Sequence, residues 1–338
     1  MKAALFKAPH VFTVTTVPLR KPEAGELLVR VDACGVCGTD VHIVEGTARS
    51  TPPVVLGHEY AGVVEDAGPD AHSSHIGQRV AVDPNIACGR CFFCRRGLVH
   101  LCSNLRALGV DIDGGMAEYC IVPEGQVYAI PAGMQKETSA FIEPVSCAVH
   151  GIDRANVKPG DTVIIVGGGT IGLLMLQLAK NAGAEKIIVL EPLEQKRRIA
   201  AELGADVILN PREADPKSAV YDISPVGADV VIECVGKVQT MQLALELARR
   251  GGTVEFFGVS PVGEVIPVEP NQVYFKELTI VGSYVNPHTF DRSIALLNAG
   301  TVRTDLFQID SFPLEGALEA LRYQREGITI KSIIFPHS

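Results

Sequence analysis

The sequence predicts an α/β protein with a β-rich domain and a second domain built on a doubly wound parallel sheet. From residue 161 to about residue 285, short β-branched apolar runs alternate with helical patterns, as in parallel α/β sheets. Residues 1 to about 33 instead show short apolar runs separated by Pro18, Pro22 and Gly25, as antiparallel strands do. A chain of 338 residues with 47% hydrophobic residues is large enough for two cores.

Charge and composition exclude some classes of partner. The formal net charge is -9 and no basic run occurs, which argues against a nucleic-acid surface. No apolar run reaches the roughly 18 to 20 residues of a membrane span, and the first residues lack a signal-peptide pattern. We therefore expect no membrane partner and a cytoplasmic location. The nine cysteines then suit metal binding better than disulfides.

The β-rich region carries reactive side chains on what we expect to be connections at strand ends: Cys37, Thr39, His42, His58 and Glu59. Cys37 and His58 form an N/S pair suited to zinc, and Glu59 offers an oxygen ligand. A buried structural cysteine and a surface histidine are the alternative. Adjacent residues rarely point at one atom, so Glu59 alternatively supports a ligand instead of binding metal.

A cysteine-rich lobe spans residues 88 to 102. Cys88, Cys91, Cys94 and Cys102 have two, two and seven residues between them. Four thiolates close a tetrahedral zinc site, which indicates a structural ion. An iron–sulfur cluster is the alternative cofactor, and His100 could replace Cys102. A zinc module for nucleic acid would need a basic face that this sequence lacks.

Glu143 and Pro144 open a helical pattern to about residue 152, and we place a domain boundary near residue 146. A strand, a glycine turn and a helix follow over residues 163–180. In this segment Gly167, Gly169 and Gly172 match G-x-G-x-x-G, in which the chain turns sharply and the helix N-terminus faces a pyrophosphate. The next strand ends at Glu191, where the dinucleotide fingerprint has its acid. A purely structural glycine turn is the alternative.

Six strands are predicted in this second region, at 163–166, 187–190, 206–209, 229–232, 253–257 and 278–282. Ligands of such sheets bind beyond the carboxyl ends of the strands, so we expect a cofactor groove there. Its predicted lining residues are Thr170, Ile171, Val235, Val259 and Ser283. The remaining chain contains helical patterns at 290–298 and near 314–325, and a last strand at 329–335.

Six motifs in this order resemble the zinc-dependent medium-chain dehydrogenases over essentially the whole chain. They are Gly35-Val-Cys-Gly-Thr-Asp40, Gly57-His-Glu59, the lobe at 88–102, Gly114-Gly-Met-Ala-Glu-Tyr119, Glu143-Pro144 and the glycines at 167–172. Within that superfamily the sequence is most similar to the polyol (sorbitol), threonine and butanediol dehydrogenase branch.

The resemblance implies a GroES-like catalytic domain formed by residues 1–146 and 286–338, and a Rossmann domain formed by residues 147–285. It implies two zinc ions per subunit, one in the lobe and one catalytic. The catalytic ion would be held by Cys37 and His58, with Glu59 or water, and Glu143 could enter its shell. Thr39 and His42 align with the family's proton relay. Other alcohol dehydrogenases of the superfamily have cysteine in place of Glu143, which shifts the expected substrate toward polyols and hydroxy amino acids.

The implied activity is hydride transfer between a secondary alcohol, such as a polyol, diol or hydroxy amino acid, and NAD. Glu191 favours NAD over NADP, because a carboxylate bonds the ribose hydroxyls and repels a 2′-phosphate. Lys196, Arg197 and Arg198 lie close in sequence and weaken this preference, unless they form an exposed helix face. The family also implies a homodimer or homotetramer, and the apolar end strand 278–284 could pair across a two-fold axis.

Two other functions fit the same residues. The enzyme could work in the opposite direction as a carbonyl reductase with NADPH, since the same site catalyses both directions. A non-catalytic dinucleotide-binding sensor is an alternative of a different class, but it would not need both Cys37 and His58.

Overall fold

The computed structural model describes all 338 residues, and they separate into two compact units. The first unit contains Met1–Pro144, Phe290–Asn298 and Phe307–Ser338, and the second contains Val145–Thr289 and Ala299–Leu306. The family resemblance predicts that the whole stretch 286–338 belongs to the first domain. In the structure, residues 286–289 and Ala299–Leu306 cluster with the second unit instead.

The first unit is a β structure with three sheets. Strands β2-β1-β4 form one sheet, β10-β6-β5-β3-β18-β17 form a larger sheet in which β9 also pairs with β3, and β7 pairs with β8. The strand bounds are β1 Lys2–Ala8, β2 Val11–Thr16, β3 Glu26–Gly35, β4 Val54–Val55, β5 Glu59–Ala67, β6 Arg79–Val82, β7 Asn85–Ile86, β8 Arg106–Ala107, β9 Tyr119–Pro123, β10 Val127–Ala129, β17 Ile309–Pro313 and β18 Lys331–Phe335.

The C-terminal segment completes this sheet. Strand β18 pairs antiparallel with the end of β3, and β17 pairs parallel with β18. The sequence predicts the last strand at 329–335 but gives no signal for β17. Its sequence, Ile309-Asp-Ser-Phe-Pro313, has too few apolar residues to show an alternating pattern.

Four helices lie wholly in the first unit: α1 Gly38–Val44, α2 Lys136–Ser139, α9 Phe290–Asn298 and α10 Ala317–Glu326. The predicted helix at 290–298 has these same bounds. The predicted helix near 314–325 begins as a 3₁₀ turn at Leu314–Gly316 and continues as α10. Side chains from β3, β5 and α10 share one apolar core that includes Val29, Tyr60 and Leu321.

The second unit is a six-stranded parallel sheet with the order β13-β12-β11-β14-β15-β16. Numbered within the sheet, this order is 3-2-1-4-5-6, that of doubly wound dinucleotide-binding folds. The strand bounds are β11 Thr162–Val166, β12 Lys186–Leu190, β13 Val207–Leu209, β14 Ala228–Glu233, β15 Ala248–Phe256 and β16 Thr279–Gly282. Each lies at or beside its predicted position.

The helices of the second unit are α4 Thr170–Asn181, α5 Glu194–Glu202, α6 Pro216–Ile223, α7 Val238–Leu247 and α8 Pro270–Lys276. Helix α3 Ile142–Ala155 contains the boundary between the two units. Strand β11 is fully apolar and buried at Val163, Ile164 and Ile165, as expected of a strand covered on both faces. None of the helices combines the length and the apolar character needed to cross a membrane.

Candidate metal centre and cofactor turn

Three side chains with metal-binding atoms meet at the ends of two paired strands. Strand β3 ends at Gly35, which pairs with Glu59 at the start of β5. The chain therefore brings Cys37, just after β3, next to His58, just before β5. One ligand atom from each of Cys37, His58 and Glu59 lies within 4.8 Å of the others, and His58 and Glu59 are buried. A thiol, an imidazole and a carboxylate are the donors that zinc uses, so this cluster fits the predicted ion.

Asp40 supports two of these donors. Its carboxylate is fully buried, and Oδ2 accepts a hydrogen bond of 2.8 Å from the backbone N–H of Cys37. Its Oδ1 lies 3.4 Å from Nδ1 of His58. Burial lowers the pKa of His58, but Asp40 and Cys37 outweigh this and raise the pKa well above its ordinary value. A carboxylate beside Nδ1 favours the tautomer that leaves Nε2 available to a metal.

Asp40 is not among the predicted site residues. A signal was available, because Asp40 follows Cys37 by three residues in the motif Gly35-Val-Cys-Gly-Thr-Asp40. A side-chain oxygen at that distance can return to the backbone N–H that precedes a helix, as in a capping box.

Glu59 forms a buried ion pair that the sequence analysis also missed. Its Oε2 accepts a hydrogen bond from Nζ of Lys331, and both side chains are only 3% exposed. Burial lowers the pKa of Lys331, but Glu59 and Cys37 raise it overall. Gly35 leaves the space for this pair, since a Cβ there would lie 2.5 Å from Oε2 of Glu59. Lys331 thus shares the carboxylate with any metal that Glu59 binds.

Glu143 lies in the first turn of α3 and is 8% exposed. It is not a member of the cluster formed by Cys37, His58 and Glu59. Its charge nevertheless contributes to the raised pKa of Lys331, which places Glu143 in the same electrostatic environment. The structure therefore brings three of the four predicted donors together and leaves Glu143 beside them.

The expectation that all five reactive residues lie on connections is wrong for three of them. Thr39 and His42 lie on helix α1, and Glu59 is the first residue of β5. Helix α1 has only seven residues, too few for a helical period to stand out from the sequence. The helix places Thr39 and His42 on one face, because residues at i and i+3 share a helix face. Both residues are exposed.

The two residues have polar neighbours suited to proton exchange. Oγ1 of Thr39 lies 3.6 Å from Sγ of Cys37, and Nδ1 of His42 lies 3.3 Å from Oγ1 of Thr47. Thr39 is thus beside the candidate metal centre, while His42 is one helical turn further along and open to solvent.

The four cysteines of the lobe form the second cluster. Ligand atoms of Cys88, Cys91, Cys94 and Cys102 lie within 4.8 Å of one another, and His100 is not a member. Backbone N–H groups of residues 94 and 103 donate to the sulfur of Cys91 and lower its pKa to about 5. These bonds favour the thiolate form that zinc requires at Cys91, whereas burial and the neighbouring thiol of Cys91 raise the pKa of Cys94 to about 12.

The glycine motif of the second unit forms the predicted turn between β11 and α4. Gly167 has φ +101°, a left-handed conformation that favours glycine. A Cβ on Gly172 would lie 1.8 Å from the carbonyl oxygen of Gly167, so only glycine allows α4 to pack this closely on the turn. Gly169 precedes the helix, and Thr170 and Ile171 are its first two residues. Exposed N–H groups of such a helix start suit a pyrophosphate.

Glu191 directly follows β12 and faces this turn. Its Oε2 accepts from the N–H of Gly168 at 2.7 Å, and its Oε1 accepts from the N–H of Leu193 at 2.8 Å. Arg197 donates to the carbonyl oxygens of Glu191 and Pro192, at 3.1 and 2.7 Å. The guanidinium therefore closes the turn between β12 and α5.

Val235, Val259 and Ser283 all follow the carboxyl ends of strands, β14, β15 and β16 respectively. Val235 is 40% exposed, and its Cγ2 would lie 2.7 Å from a Cβ on Gly167, so it packs on the glycine turn. Val259 is largely exposed, whereas Oγ of Ser283 is buried without a hydrogen-bond partner.

Comparison with known proteins decides the family. Residues 23–132 match the profile of the alcohol dehydrogenase GroES-like domain, and residues 170–299 match that of zinc-binding dehydrogenases. The chain is 33% identical to D-arabinitol dehydrogenase 1 of Uromyces fabae, with 100% of this chain and 97% of the relative covered. The chain belongs to the zinc-dependent medium-chain dehydrogenases. L-threonine 3-dehydrogenase of Thermococcus kodakarensis is 34% identical, with 95% and 93% covered.

Two solved dehydrogenase structures are similar to this chain over 99% of its length. A zinc-binding dehydrogenase of Sinorhizobium meliloti 1021 bound to NADP is 41% identical, with a TM-score of 0.96 and 99% of both chains covered. An alcohol dehydrogenase of E. coli CFT073 complexed with NADH is 29% identical, with a TM-score of 0.92 and 99% of both chains covered. The predicted fold class and the polyol and threonine dehydrogenase branch are confirmed. This chain is a zinc-dependent alcohol oxidoreductase that acts on a small-molecule substrate.

Proposed function

We propose that this enzyme oxidises a secondary alcohol of a polyol, diol or hydroxy amino acid with NAD. The observation that carries the proposal is the cluster of Cys37, His58 and Glu59, buried against Asp40 and Lys331. Cys37 and His58 would hold the catalytic zinc, with Glu59 or water, and Glu143 would enter the metal shell during turnover. When bound, zinc acts as a Lewis acid that lowers the pKa of the substrate hydroxyl.

Thr39 and His42 on α1 would carry the hydroxyl proton of the substrate to solvent. The hydroxyl of Thr39 accepts it from the substrate, and the exposed imidazole of His42 passes it to solvent. Their spacing of three residues on one helix face supports this order, as does the position of Thr39 beside Cys37.

The second zinc would be held by Cys88, Cys91, Cys94 and Cys102, giving two ions per subunit. Four thiolates leave no position for substrate, so this ion would only stabilise the lobe. Thiolate ligands of this kind need a reducing compartment, which supports the cytoplasm as the location.

Gly167, Gly169, Thr170, Ile171 and Gly172 would receive the pyrophosphate of the cofactor. Glu191 would bond the ribose hydroxyls, exchanging one of its present amide bonds for them, and its charge supports NAD. Two of the cationic residues nearby already have partners in the protein, which leaves them less available to a 2′-phosphate. Arg197 donates to backbone carbonyls, and Arg198 pairs with Glu194. When bound, the nicotinamide accepts the hydride.

A second candidate is a carbonyl reductase that uses NADPH. One observation favours it, namely that the S. meliloti structure, at 41% identity, contains NADP. The two candidates share every residue of the metal cluster and differ in the cofactor and the direction of hydride transfer.

The edge of the parallel sheet supports assembly of the enzyme into dimers or tetramers. Strand β16 is the last strand of its sheet, and Ile280 within it is 37% exposed. Tyr274 and Phe275 on the neighbouring α8 are 76% and 66% exposed. An unpaired edge strand flanked by exposed aromatic side chains suits pairing with the same strand of a second copy.

The deciding experiment is to follow NAD and NADP reduction with polyols, diols, simple alcohols and threonine, with metal analysis of the same sample. Oxidation of a vicinal diol, polyol or threonine with about two zinc ions per chain is the expected result. A protein that carries only the lobe zinc would refute the assignment of Cys37 and His58. Carbonyl reduction by NADPH without alcohol oxidation would select the second candidate.

A further inference from the structure

Glu233 is a fully buried carboxylate at the end of β14. Its Oε1 accepts hydrogen bonds from the N–H of Val235 at 2.8 Å and of Gly236 at 3.0 Å. The hydroxyl of Thr240 donates to the same oxygen at 2.7 Å. All of these contacts are accepted by Glu233, as suits an ionised carboxylate. Burial raises the pKa of Glu233, and these hydrogen bonds partly oppose that effect.

Glu233 also holds the segment that follows the next strand. Its carbonyl oxygen accepts from the N–H of Phe257 at 3.0 Å and of Gly258 at 2.8 Å. A Cβ on Gly258 would lie 2.6 Å from Oε2 of Glu233, so this segment packs directly on the carboxylate. One residue therefore joins the chain after β14 to the chain after β15.

The segment that follows β14 contacts the glycine turn. The N–H of Cys234 donates to the carbonyl of Val166 at 2.9 Å, and Val235 packs on Gly167. Because ligands of a doubly wound sheet bind at the carboxyl ends of the strands, this contact forms part of the wall of the dinucleotide groove. The position of that wall depends on the carboxylate of Glu233.

We propose that Glu233 is a positioning residue for the dinucleotide, which fixes Val235 and Gly236 against the glycine turn before the cofactor arrives. This inference rests on the proposed function, because its ligand is the nicotinamide dinucleotide. A groove that is already ordered loses less conformational freedom on binding, and so binds more tightly.

The test is the Kd of zinc-loaded enzyme for NADH or NADPH, whichever binds the wild-type protein more tightly, measured by nicotinamide fluorescence. In Glu233→Gln the amide oxygen can replace Oε1, but the NH₂ group then takes the place of Oε2, which accepts from the N–H of Gly236 at 3.1 Å, so two donors face each other. We expect Kd to rise about tenfold, since hydrogen bonds to charged groups are among the stronger ones. We also expect KM for the dinucleotide to rise while kcat at saturating dinucleotide stays within about twofold.

Glu255→Gln is the matched control. Glu255 is an equally buried carboxylate on β15, but neither of its oxygens has a hydrogen-bond partner. This variant should bind the dinucleotide as the wild-type protein does. An equal loss of affinity in both variants would overturn the inference, because it would show a general effect of altering a buried acid.

Other outcomes are equally decisive. A Kd for Glu233→Gln within twofold of wild type would overturn the inference while leaving the proposed function intact. If this variant does not fold, Thr240→Val decides the question, since it removes one donor to the carboxylate. A Kd raised about threefold would support the positioning role, and an unchanged Kd would refute it. A wild-type protein that binds neither dinucleotide would remove the proposed function itself, and this inference with it.

Discussion

Asp40 connects two candidate zinc ligands through one buried carboxylate. It fixes the backbone before α1 at Cys37 and lies beside the imidazole of His58. Carboxylates in this position orient a ligating histidine and increase its basicity. The arrangement predicts that zinc affinity depends on Asp40 although Asp40 does not touch the metal itself.

Asp40→Asn should weaken zinc binding at the Cys37 and His58 centre by about 10- to 100-fold, because the amide lacks the charge that favours this imidazole orientation. The measurement is metal release to a chelator, with the lobe zinc expected to stay bound. Asp32→Asn provides a control, since Asp32 is also buried but pairs with Arg30 and Lys136. Equal retention of both ions in Asp40→Asn would contradict the role.

His42→Ala should reduce turnover mainly at low pH, by about tenfold or more, because the proton then lacks a titratable group on α1. Zinc content should be unchanged. The measurement is the pH–rate profile of kcat, compared with that of His72→Ala, which removes another exposed histidine. A profile identical to wild type would remove His42 from the relay.

Glu191→Gln should shift the cofactor preference toward NADP. The amide can still accept from the N–H of Gly168, but it no longer repels a 2′-phosphate. We expect the ratio of kcat/KM for NAD to that for NADP to fall about tenfold or more. Glu185→Gln, at an exposed position of the same unit, should leave the ratio unchanged. Equal efficiency of wild type with both cofactors would refute the preference itself.

Sequence patterns predict the role of a side chain well when its partners are close to it in the chain. The lobe cysteines and the glycines at 167–172 fall within short motifs, so their chemistry can be inferred from spacing. Lys331 could not be found in this way, because its partner Glu59 is 272 residues away. A buried lysine also carries no local signal, since lysine is ordinarily exposed. The role of Glu233 could not be predicted either, because it depends on contacts with the segment that follows the next strand.

Among the elements, the strands of the parallel sheet were the easiest to predict. Four consecutive buried apolar residues such as residues 163–166 leave a strong signal, because both faces of the sheet are covered. Short elements such as α1 and β17 were missed. Helix α1 is stabilised by a capping bond from the N–H of Cys37 to its own Asp40, and β17 by pairing with β18, and neither has a long apolar pattern of its own.

Strand β15 of the parallel sheet contains a buried carboxyl group, that of Glu255. Burial raises the pKa of Glu255 to about 8, although Arg154 opposes the shift. A carboxyl in the unfolded chain titrates near pH 4.3. The folded protein therefore holds this proton more tightly than the unfolded chain, and stability is lost as the pH rises from about 4 to about 8.

Glu255→Gln should therefore increase the melting temperature at pH 8.5 by at least about 3 °C and change it little at pH 4.5. The amide resembles the protonated acid but cannot ionise. Thermal unfolding at both pH values measures the effect, and Glu185→Gln is the exposed control. A stabilisation of equal size at both pH values would show that ionisation is not its cause.

At the scale of the whole molecule, the exposed edge strand β16 predicts self-association. Ile280→Lys places a charge on that edge, and edge charges oppose strand pairing. We expect the mass measured by light scattering to fall to that of a smaller species. Ile328→Lys is the control, since Ile328 is 41% exposed in the first unit. A wild-type monomer, or a mass unaffected by Ile280→Lys, would contradict the proposed dimer contact.

The separation of 272 residues between Glu59 and Lys331 has a consequence for biosynthesis. The ribosome makes residues 1–144 first and then the whole continuous part of the second unit before it reaches β18. At about 5 to 20 residues per second, this interval is roughly 10 to 40 s. During this interval Glu59 lacks its partner Lys331, and the large sheet of the first unit lacks β17 and β18. The first unit can be completed only once β18 has been made, so we expect zinc to bind beside Glu59 late in synthesis or after it.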